Sequence, residues 1–494
     1  MLNSFKGLKI FQSSEFILLA LFAFVIPFSW RIATFIMIVI FINCILKGIF
    51  EEGFKINPLQ YKNKSIYFIS IAFWALYAIS FLYSENTAEA RIQIGKKLSF
   101  LLLPLFFLFS NLSYLTKKRV RTIMYFFVFG ILALFFTNLI LAIYDVSITD
   151  NPQSDRFYDP YFLELGTGYI HHTYISIYTC LGIAFSFTEL FSKTKFKTKL
   201  FNLLTTISLI AFTVISNSRA GLLCIIFIFI ILFIWLMFVK KEKIIGICFG
   251  IVIISISVVC SIYFKESLER LSSTIKNLRN VEFEDRRIGL YNGYKDLLYD
   301  KFWFGVGAGD RSDETLNSYI RKKEEIISRI QPVDSIFTDD FYQKRTDCLE
   351  SLFKRYNGHI SKSALIYAKR ISNKHGCDHN SLQENLSRYF NINVAINSNC
   401  NAHNQYFDTI ITVGIIGLIL YLAMLFMPIY LWIKNKNFNI VFFTLLFIFA
   451  FNSLFESVFE RQMGIMFFVF FYFLLFHGCF CQDNSEENKS LDVK

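Results

Sequence analysis

The sequence predicts an all-α polytopic membrane protein with about 12 transmembrane helices and one long external loop before the last three helices. Of 494 residues, 54% are hydrophobic and 18% aromatic, whereas only 18% are charged. Soluble domains contain about 25% charged residues, and no single globular core could bury so much apolar surface. A lipid bilayer is the environment that can accommodate this surface.

A membrane-spanning helix needs about 20 mostly apolar residues. Such runs occur at 14–30, 32–50, 65–83, 98–112, 122–144, 172–192, 200–216, 220–239, 244–264, 405–432, 438–456 and 463–480. The runs at 98–112 and 200–216 are short for a span. Lys6 and Lys9 precede the first run without a small-residue cleavage site, so we expect a retained helix rather than a removed signal peptide.

Lys and Arg are distributed unequally between the two sets of loops. With the N-terminus in the cytoplasm, the N-terminal segment and the cytoplasmic loops hold 19 of these residues, and the short loops on the other side hold seven. Cytoplasmic loops carry the excess of positive charge in membrane proteins. The net charge of +12 is therefore explained by topology, and no nucleic-acid partner is expected. Both termini are predicted to be cytoplasmic.

The predicted organisation has four parts. Residues 1–264 carry helices one to nine, 265–404 form the external loop, 405–482 carry the last three helices, and 483–494 form a cytoplasmic tail. The loop is too long for a passive connector. Its charged part, about 311–400, is predicted to be an accessory helical insertion.

Two groups of residues suggest anion binding on the outer side. Arg219 follows Ser218 and lies between two apolar runs. Its planar guanidinium group carries paired N–H donors that suit phosphate or carboxylate. The alternative is an arginine that snorkels to headgroups or closes an ion pair. Arg286 and Arg287 precede a Gly-rich run with Gly305 and Gly307, whose N–H groups could face an anion or form a plain turn.

A third group lies where the loop re-enters the membrane. His403, followed by Asn404, is placed to accept a proton near neutral pH; the alternative is an interfacial histidine that only hydrogen-bonds. His172 and Glu456 lie at further outer helix ends. No metal site is expected, because the group around His375, Cys377 and His379 lacks a second ligand pair at suitable spacing. One disulfide among Cys348, Cys377 and Cys400 is compatible with this compartment.

These groups, in this order, resemble the O-antigen ligase and polymerase family of bacterial envelope enzymes. The resemblance covers about 200–480 and includes four short motifs: Ser218-Arg219-Ala220-Gly221; Arg287 with the Gly305–Gly309 run; His403-Asn404 with Gly414-Ile415-Ile416-Gly417; and Glu456-Ser457 before Gly464. Tyr291 stands where the family often has Trp, and 311–400 is a long insertion.

The resemblance implies a metal-independent, cofactor-free, inverting glycosyltransferase in the bacterial inner membrane with its active site facing the periplasm. Its donor would be an undecaprenyl-pyrophosphate-linked glycan, and its acceptor a glycan, lipid A-core or a protein. Arg219 and Arg287, with Arg286 as a further candidate, would hold the pyrophosphate, and His403 would be the general base. Ser218, Gly305, Gly307, Asn404, His172 and Glu456 would support the site.

The same residues fit three activities within the family: an O-antigen ligase, a polysaccharide polymerase and a protein O-oligosaccharyltransferase. From other classes, twelve helices fit a polysaccharide-lipid transporter or flippase, and the long loop fits a ligand-binding module. The polar groups lie at the outer surface rather than the membrane midplane, and the helices show no matching halves. These features favour the enzyme.

Overall fold

The computed structural model describes residues 2–52, 63–148, 171–216, 218–242, 246–247, 250, 294–295, 297–315, 318 and 403–480. These residues form helices and turns and contain no β-strand. The α-helices are α1 (Leu2–Val25), α2 (Trp30–Lys47), α3 (Lys64–Ser80), α4 (Thr87–Lys96), α5 (Ser99–Phe109), α6 (Lys117–Ile148), α7 (His172–Leu190), α8 (Phe196–Ile215), α9 (Arg219–Ile234), α10 (Gln405–Asn435), α11 (Ile440–Asn452) and α12 (Gln462–Phe480). The π-helical turns Gly48–Glu52 and Trp235–Lys240 continue α2 and α9.

Seven helices of the described part are long and apolar enough to cross a membrane: Trp30–Phe50, Thr87–Phe109, Lys117–Ile140, Phe196–Ile215, Ala220–Lys240, Gln405–Asn435 and Gln462–Cys479. Ser14–Val25, Lys64–Ser80 and Ile440–Asn452 are shorter apolar helices. The all-α polytopic class is therefore confirmed. The count of about 12 spans stays a prediction, and most of the run at 244–264 lies outside the described residues.

The chain divides into two compact units. The first comprises Met1–Trp74, Lys96–Ile262 and Leu420–Lys494, and the second comprises Ala75–Gly95 and Tyr263–Ile419. The predicted division into loop and membrane parts stays a prediction.

The core of the first unit surrounds α12, whose residues 463–477 are all buried. Aromatic rings provide much of the contact: the ring centroids of Phe467 and Tyr178 lie 4.7 Å apart, and those of Phe471 and Phe127 lie 4.5 Å apart. Van der Waals packing of this kind associates helices in lipid, where water does not drive them together. Much of the phenylalanine excess therefore packs helices against one another rather than facing lipid.

In the second unit, α10 is broken at Val413 and Gly414. Gly414 has φ 73°, and Val413 is also non-helical. Backbone groups before and within the Gly-rich run satisfy those that the break releases: Ile415 N donates to Phe302 O at 2.9 Å, and Val306 N donates to Ile411 O at 2.7 Å. Irregular backbone at membrane depth is tolerated where the protein itself supplies such partners.

Three details differ from the sequence predictions. The first helix begins at Leu2, well before the apolar run at 14–30. The run at 98–112 contains the short α5, which follows the polar helix α4. Lys47, one of the 19 residues counted as cytoplasmic positive charges, has a side chain only 3% exposed and pairs with Glu15 at 3.4 Å.

Candidate functional site

The junction before α10 is a sharp turn closed by a helix cap. His403 has a left-handed backbone with φ 46°, a conformation that is uncommon outside glycine. Asn404 Oδ1 accepts hydrogen bonds from Tyr406 N at 3.0 Å and Phe407 N at 3.1 Å. This is an N-cap, which satisfies helix N–H groups that have no partner within the helix. Asn404 therefore fixes the direction in which the chain leaves half-buried His403.

A buried ion pair joins the first turn of α10 to the segment after the Gly-rich run. Arg311 Nη1 lies 2.9 Å from Asp408 Oδ1, and the two side chains are 8% and 6% exposed. Asp408 lies in the first turn of α10, where the positive end of the helix dipole stabilises its negative charge. Sequence reasoning missed both residues, although an acidic residue in the first turn of a helix is a signal that can be recognised.

The Gly-rich run packs against the chain that follows α3. Ala308 N donates to Ser80 Oγ at 3.1 Å and Gly309 N to Ser84 Oγ at 3.2 Å. Asp310 accepts from the backbone N–H groups of Glu85 and Asn86, both at 2.8 Å. These polar contacts attach the run to this turn.

The backbone N–H groups from Gly305 to Asp310 all donate to atoms of the protein. These donors already have partners within the protein, and the supporting role expected of Gly305 and Gly307 stays a prediction. Gly305 and Gly307 have φ 71° and φ 102°. A side chain at Gly305 would collide with the backbone of Ile411 and Thr412. Glycine at position 305 therefore allows the run to pack closely against the break in α10.

Glu314 follows in a helical turn over 311–315. Burial raises the pKa of its carboxyl, and the carboxylates of Asp310, Glu85 and Asp313 raise it further, whereas Lys301 lowers it. The segment after the Gly-rich run thus packs acidic side chains closely enough to interact electrostatically.

In the first unit, Ser218 and Gly221 shape the start of α9. Ser218 Oγ caps the helix by accepting from Gly221 N at 3.2 Å. A side chain at Gly221 would collide with Ser176 of α7, so glycine permits close contact between the two helices. Arg219 is the first residue of α9, and its side chain lies outside the described part of the structure.

The start of α7 brings His172 into the same neighbourhood. Ser176 Oγ, against which Gly221 packs, donates to His172 O at 3.0 Å. His172 lies close enough to Glu456 and Arg461 for electrostatic interaction. Three of the predicted groups therefore meet at one end of the helices of this unit: Ser218–Gly221, His172 and Glu456.

The connection that carries Glu456 is held to α7 by two tyrosines. Tyr174 OH donates to Val458 O at 3.3 Å, and Tyr178 OH donates to Met463 O at 3.3 Å. Gly464 lies where a side chain would collide with Val458 and Tyr174. The motif Glu456-Ser457 with Gly464 thus has a packing explanation beside its expected role in the site.

Arg286 and Arg287 lie outside the described residues, as do His375, Cys377, His379, Cys348 and Cys400. Their predicted roles, and the disulfide, stay predictions. Within the described residues, no group of three or more His, Cys, Asp or Glu side chains could hold a metal ion.

The fold and these groups define a polytopic membrane protein with clustered polar residues at helix ends. Residues 204–341 match the family model described as O-antigen ligase, which confirms over that segment the resemblance predicted from the motifs. The matched segment includes Arg219, Arg287 and the Gly-rich run and ends before His403. A comparison with curated proteins gives no match. The match and the membrane helices indicate a membrane enzyme of the O-antigen ligase or polymerase type, which acts in polysaccharide biosynthesis.

Proposed function

We propose that the protein is a glycosyltransferase of the bacterial inner membrane. It transfers a glycan from an undecaprenyl-pyrophosphate donor to an acceptor hydroxyl at the outer face, with both termini in the cytoplasm. The observation that carries this proposal is the family match over 204–341. The capped His403–Asn404 junction downstream of it adds support.

In the proposed reaction, the acceptor oxygen attacks the anomeric carbon of the donor sugar while the bond from that carbon to the pyrophosphate oxygen breaks. The hydroxyl proton goes to the imidazole of His403, and undecaprenyl pyrophosphate leaves with the bonding electrons. Attack from the face opposite the leaving group inverts the anomeric carbon. A pyrophosphate leaves readily once its charge is stabilised, so we expect no metal requirement.

Arg219 and Arg287, with Arg286 as a further candidate, would stabilise the charge that develops on the leaving pyrophosphate. Guanidinium groups bind phosphate through two parallel hydrogen bonds. The cap at Ser218 and the close packing at Gly221 support this role, since they fix where α9, and with it Arg219, begins. The polar group of His172, Glu456 and Arg461 near that helix end supports a charged ligand there.

The test is glycan transfer by purified protein in nanodiscs with a lipid-linked glycan donor. His403→Asn is the sharpest variant, because asparagine tolerates the left-handed backbone at this position but cannot act as a base. We expect turnover to fall about 10²–10⁴-fold while donor binding and thermal stability are retained. His359→Asn, the same substitution elsewhere in the long loop, should leave turnover unchanged.

Turnover of His403→Asn close to wild type would remove this residue from the mechanism. Loss of activity with EDTA would show a metal requirement. Transport of the lipid-linked donor across the membrane without glycan transfer would indicate the flippase instead. In cells lacking the protein, the length of the accumulated lipid-linked glycan distinguishes the two activities. Loss of a polymerase should leave single repeats on the lipid, whereas loss of a ligase should leave long chains.

Orientation has its own test. A reporter that is active only outside the cytoplasm should be active when fused after residue 330 and silent when fused at Lys118, Lys197 or Lys436. The unequal distribution of Lys and Arg motivates this expectation. Activity of the Lys197 fusion would contradict the proposed topology.

A further inference from the structure

A cavity of about 540 Å³ lies in the first unit where α6 and α11 begin and α7 and α12 end. Its charged lining consists of Lys117, Arg121, Lys436 and Glu189. Its apolar lining includes Val120, Met124, Phe185 and Leu475. The cavity lining therefore combines charged and apolar side chains.

This cavity is separate from the group around His172. It lies beside Glu189, near the last residue of α7, whereas His172 is the first residue of that helix. The helix has 19 residues, which corresponds to a length of roughly 28 Å at 1.5 Å per residue. On the proposed topology the cavity faces the cytoplasm, on the side of the membrane opposite the proposed reaction.

The charged lining favours an anion. Glu189 forms an ion pair with Arg121, which also donates to Ser192 Oγ at 3.2 Å. Three cations against one carboxylate leave two positive charges in the lining. The side chains of Lys117 and Lys436 are exposed. Arg121 Nε is buried and donates to no atom of the described residues, which leaves a donor for an incoming acceptor oxygen.

The apolar part of the lining indicates that the ligand is an amphiphile rather than a simple anion. Val120 and Met124 lie about one turn apart on α6, and both are buried, as is Leu475 of α12. A soluble anion would leave this surface without a partner, whereas an acyl chain would cover it. Basic pockets between membrane helices on the cytoplasmic side suit anionic lipid headgroups.

We propose that this cavity binds an acidic phospholipid. The headgroup phosphate would lie among Lys117, Arg121 and Lys436, and an acyl chain would run along Val120 and Met124. This site is independent of the proposed glycan transfer, since none of its residues belongs to the proposed reaction machinery.

The chain offers a matched pair of double variants. Lys117→Gln with Lys436→Gln removes two charges from the cavity lining. Lys118→Gln with Lys434→Gln removes two charges from the same ends of α6 and α10, at exposed lysines that do not line the cavity. The measurement is native mass spectrometry of full-length protein titrated with phosphatidylglycerol or with phosphatidylcholine of the same acyl chains.

We expect wild type and the Lys118/Lys434 variant to retain phosphatidylglycerol in preference to phosphatidylcholine. The Lys117/Lys436 variant should lose about thirtyfold in affinity for phosphatidylglycerol, since each lysine near an anionic lipid contributes roughly fivefold. Glycan transfer should be retained in both variants. A phosphatidylglycerol with a photoreactive acyl chain should label the stretch that contains Val120 and Met124.

Three outcomes would overturn the proposal. Equal losses in both double variants would show general surface attraction. Equal retention of the two lipids would remove the charge selectivity. Displacement of phosphatidylglycerol by millimolar inorganic phosphate would identify a site for a free anion rather than for a lipid.

Discussion

Arg311 Nη1 and Asp408 Oδ1 lie 2.9 Å apart in a buried position, although 96 residues separate them in the chain. Asp408 belongs to the first turn of α10, which Asn404 caps directly after His403. The ion pair therefore attaches the chain beyond the Gly-rich run to the same helix turn that determines the position of His403. If His403 is the general base, as proposed, this ion pair helps to position it.

Breaking this pair on one side should be strongly destabilising. Arg311→Met or Asp408→Leu removes one partner of a buried charge pair, which typically costs about 3–5 kcal/mol. The double variant Arg311→Met/Asp408→Leu should recover part of that loss, because two apolar side chains need no compensating charge. Thermal unfolding of the four proteins in a double-mutant cycle measures the coupling. Arg91→Met, at an exposed arginine of the same unit, is the control.

Additive losses in this cycle would show that the pair contributes no coupling energy. A second measurement separates positioning from stability. Below the unfolding temperature, the double variant should show reduced turnover in glycan transfer with donor binding retained. Full turnover in a folded double variant would exclude a positioning role for the pair.

The break in α10 should depend on glycine at position 414. Gly414→Ala places a side chain against Trp303 O at φ 73°, and a left-handed non-glycine residue alone costs about 1–3 kcal/mol. We expect a lower unfolding temperature. Gly95→Ala is the matched control, since a side chain there meets no atom within 4 Å, and it should be neutral or slightly stabilising. Equal unfolding temperatures for the two variants would show that the break does not require glycine.

The sequence alone was sufficient to predict the helices whose apolar runs are continuous. The predicted run 463–480 corresponds to Gln462–Phe480, and the run 172–192 corresponds to His172–Leu190. Hydropathy finds such helices because the bilayer requires the apolar composition itself. The polar helix α4 was missed for the same reason, since its composition resembles that of a loop.

The break in α10 could not be predicted, because the run is continuously apolar from Val413 onward and the backbone partners of the break lie about 110 residues upstream. The motifs located the ends of α7, α9 and α10 that carry polar groups, but not the contacts that those groups make. Ser218 and Asn404 are helix caps, and Gly221 is a point of close helix packing. Such roles depend on neighbours that a single sequence does not reveal.

Glu314 should make stability depend on pH. Burial raises the pKa of this carboxyl in the folded protein, so the folded state favours the protonated form. Stability is therefore greatest below the ordinary carboxyl pKa and decreases as pH rises through the raised value. Glu314→Gln removes this loss and should raise the unfolding temperature at pH 7 but not at pH 4. The exposed Asp300→Asn is the control; an equal rise for both variants would contradict the effect of burial.

The buried pair Lys47–Glu15 should hold α1 and α2 together. Lys47 Nζ lies 3.4 Å from Glu15 Oε2, and the side chains are 3% and 0% exposed. Lys47→Met leaves the carboxylate without this cation and should cost about 3–5 kcal/mol. Glu15→Leu/Lys47→Met should regain much of that loss, whereas Lys118→Met, at an exposed lysine, should change little. Thermal unfolding in nanodiscs measures all three. If the single variant Lys47→Met is as stable as wild type, the pair contributes nothing to stability. If the double variant is no more stable than this single variant, Lys47 acts through packing of its alkyl chain instead.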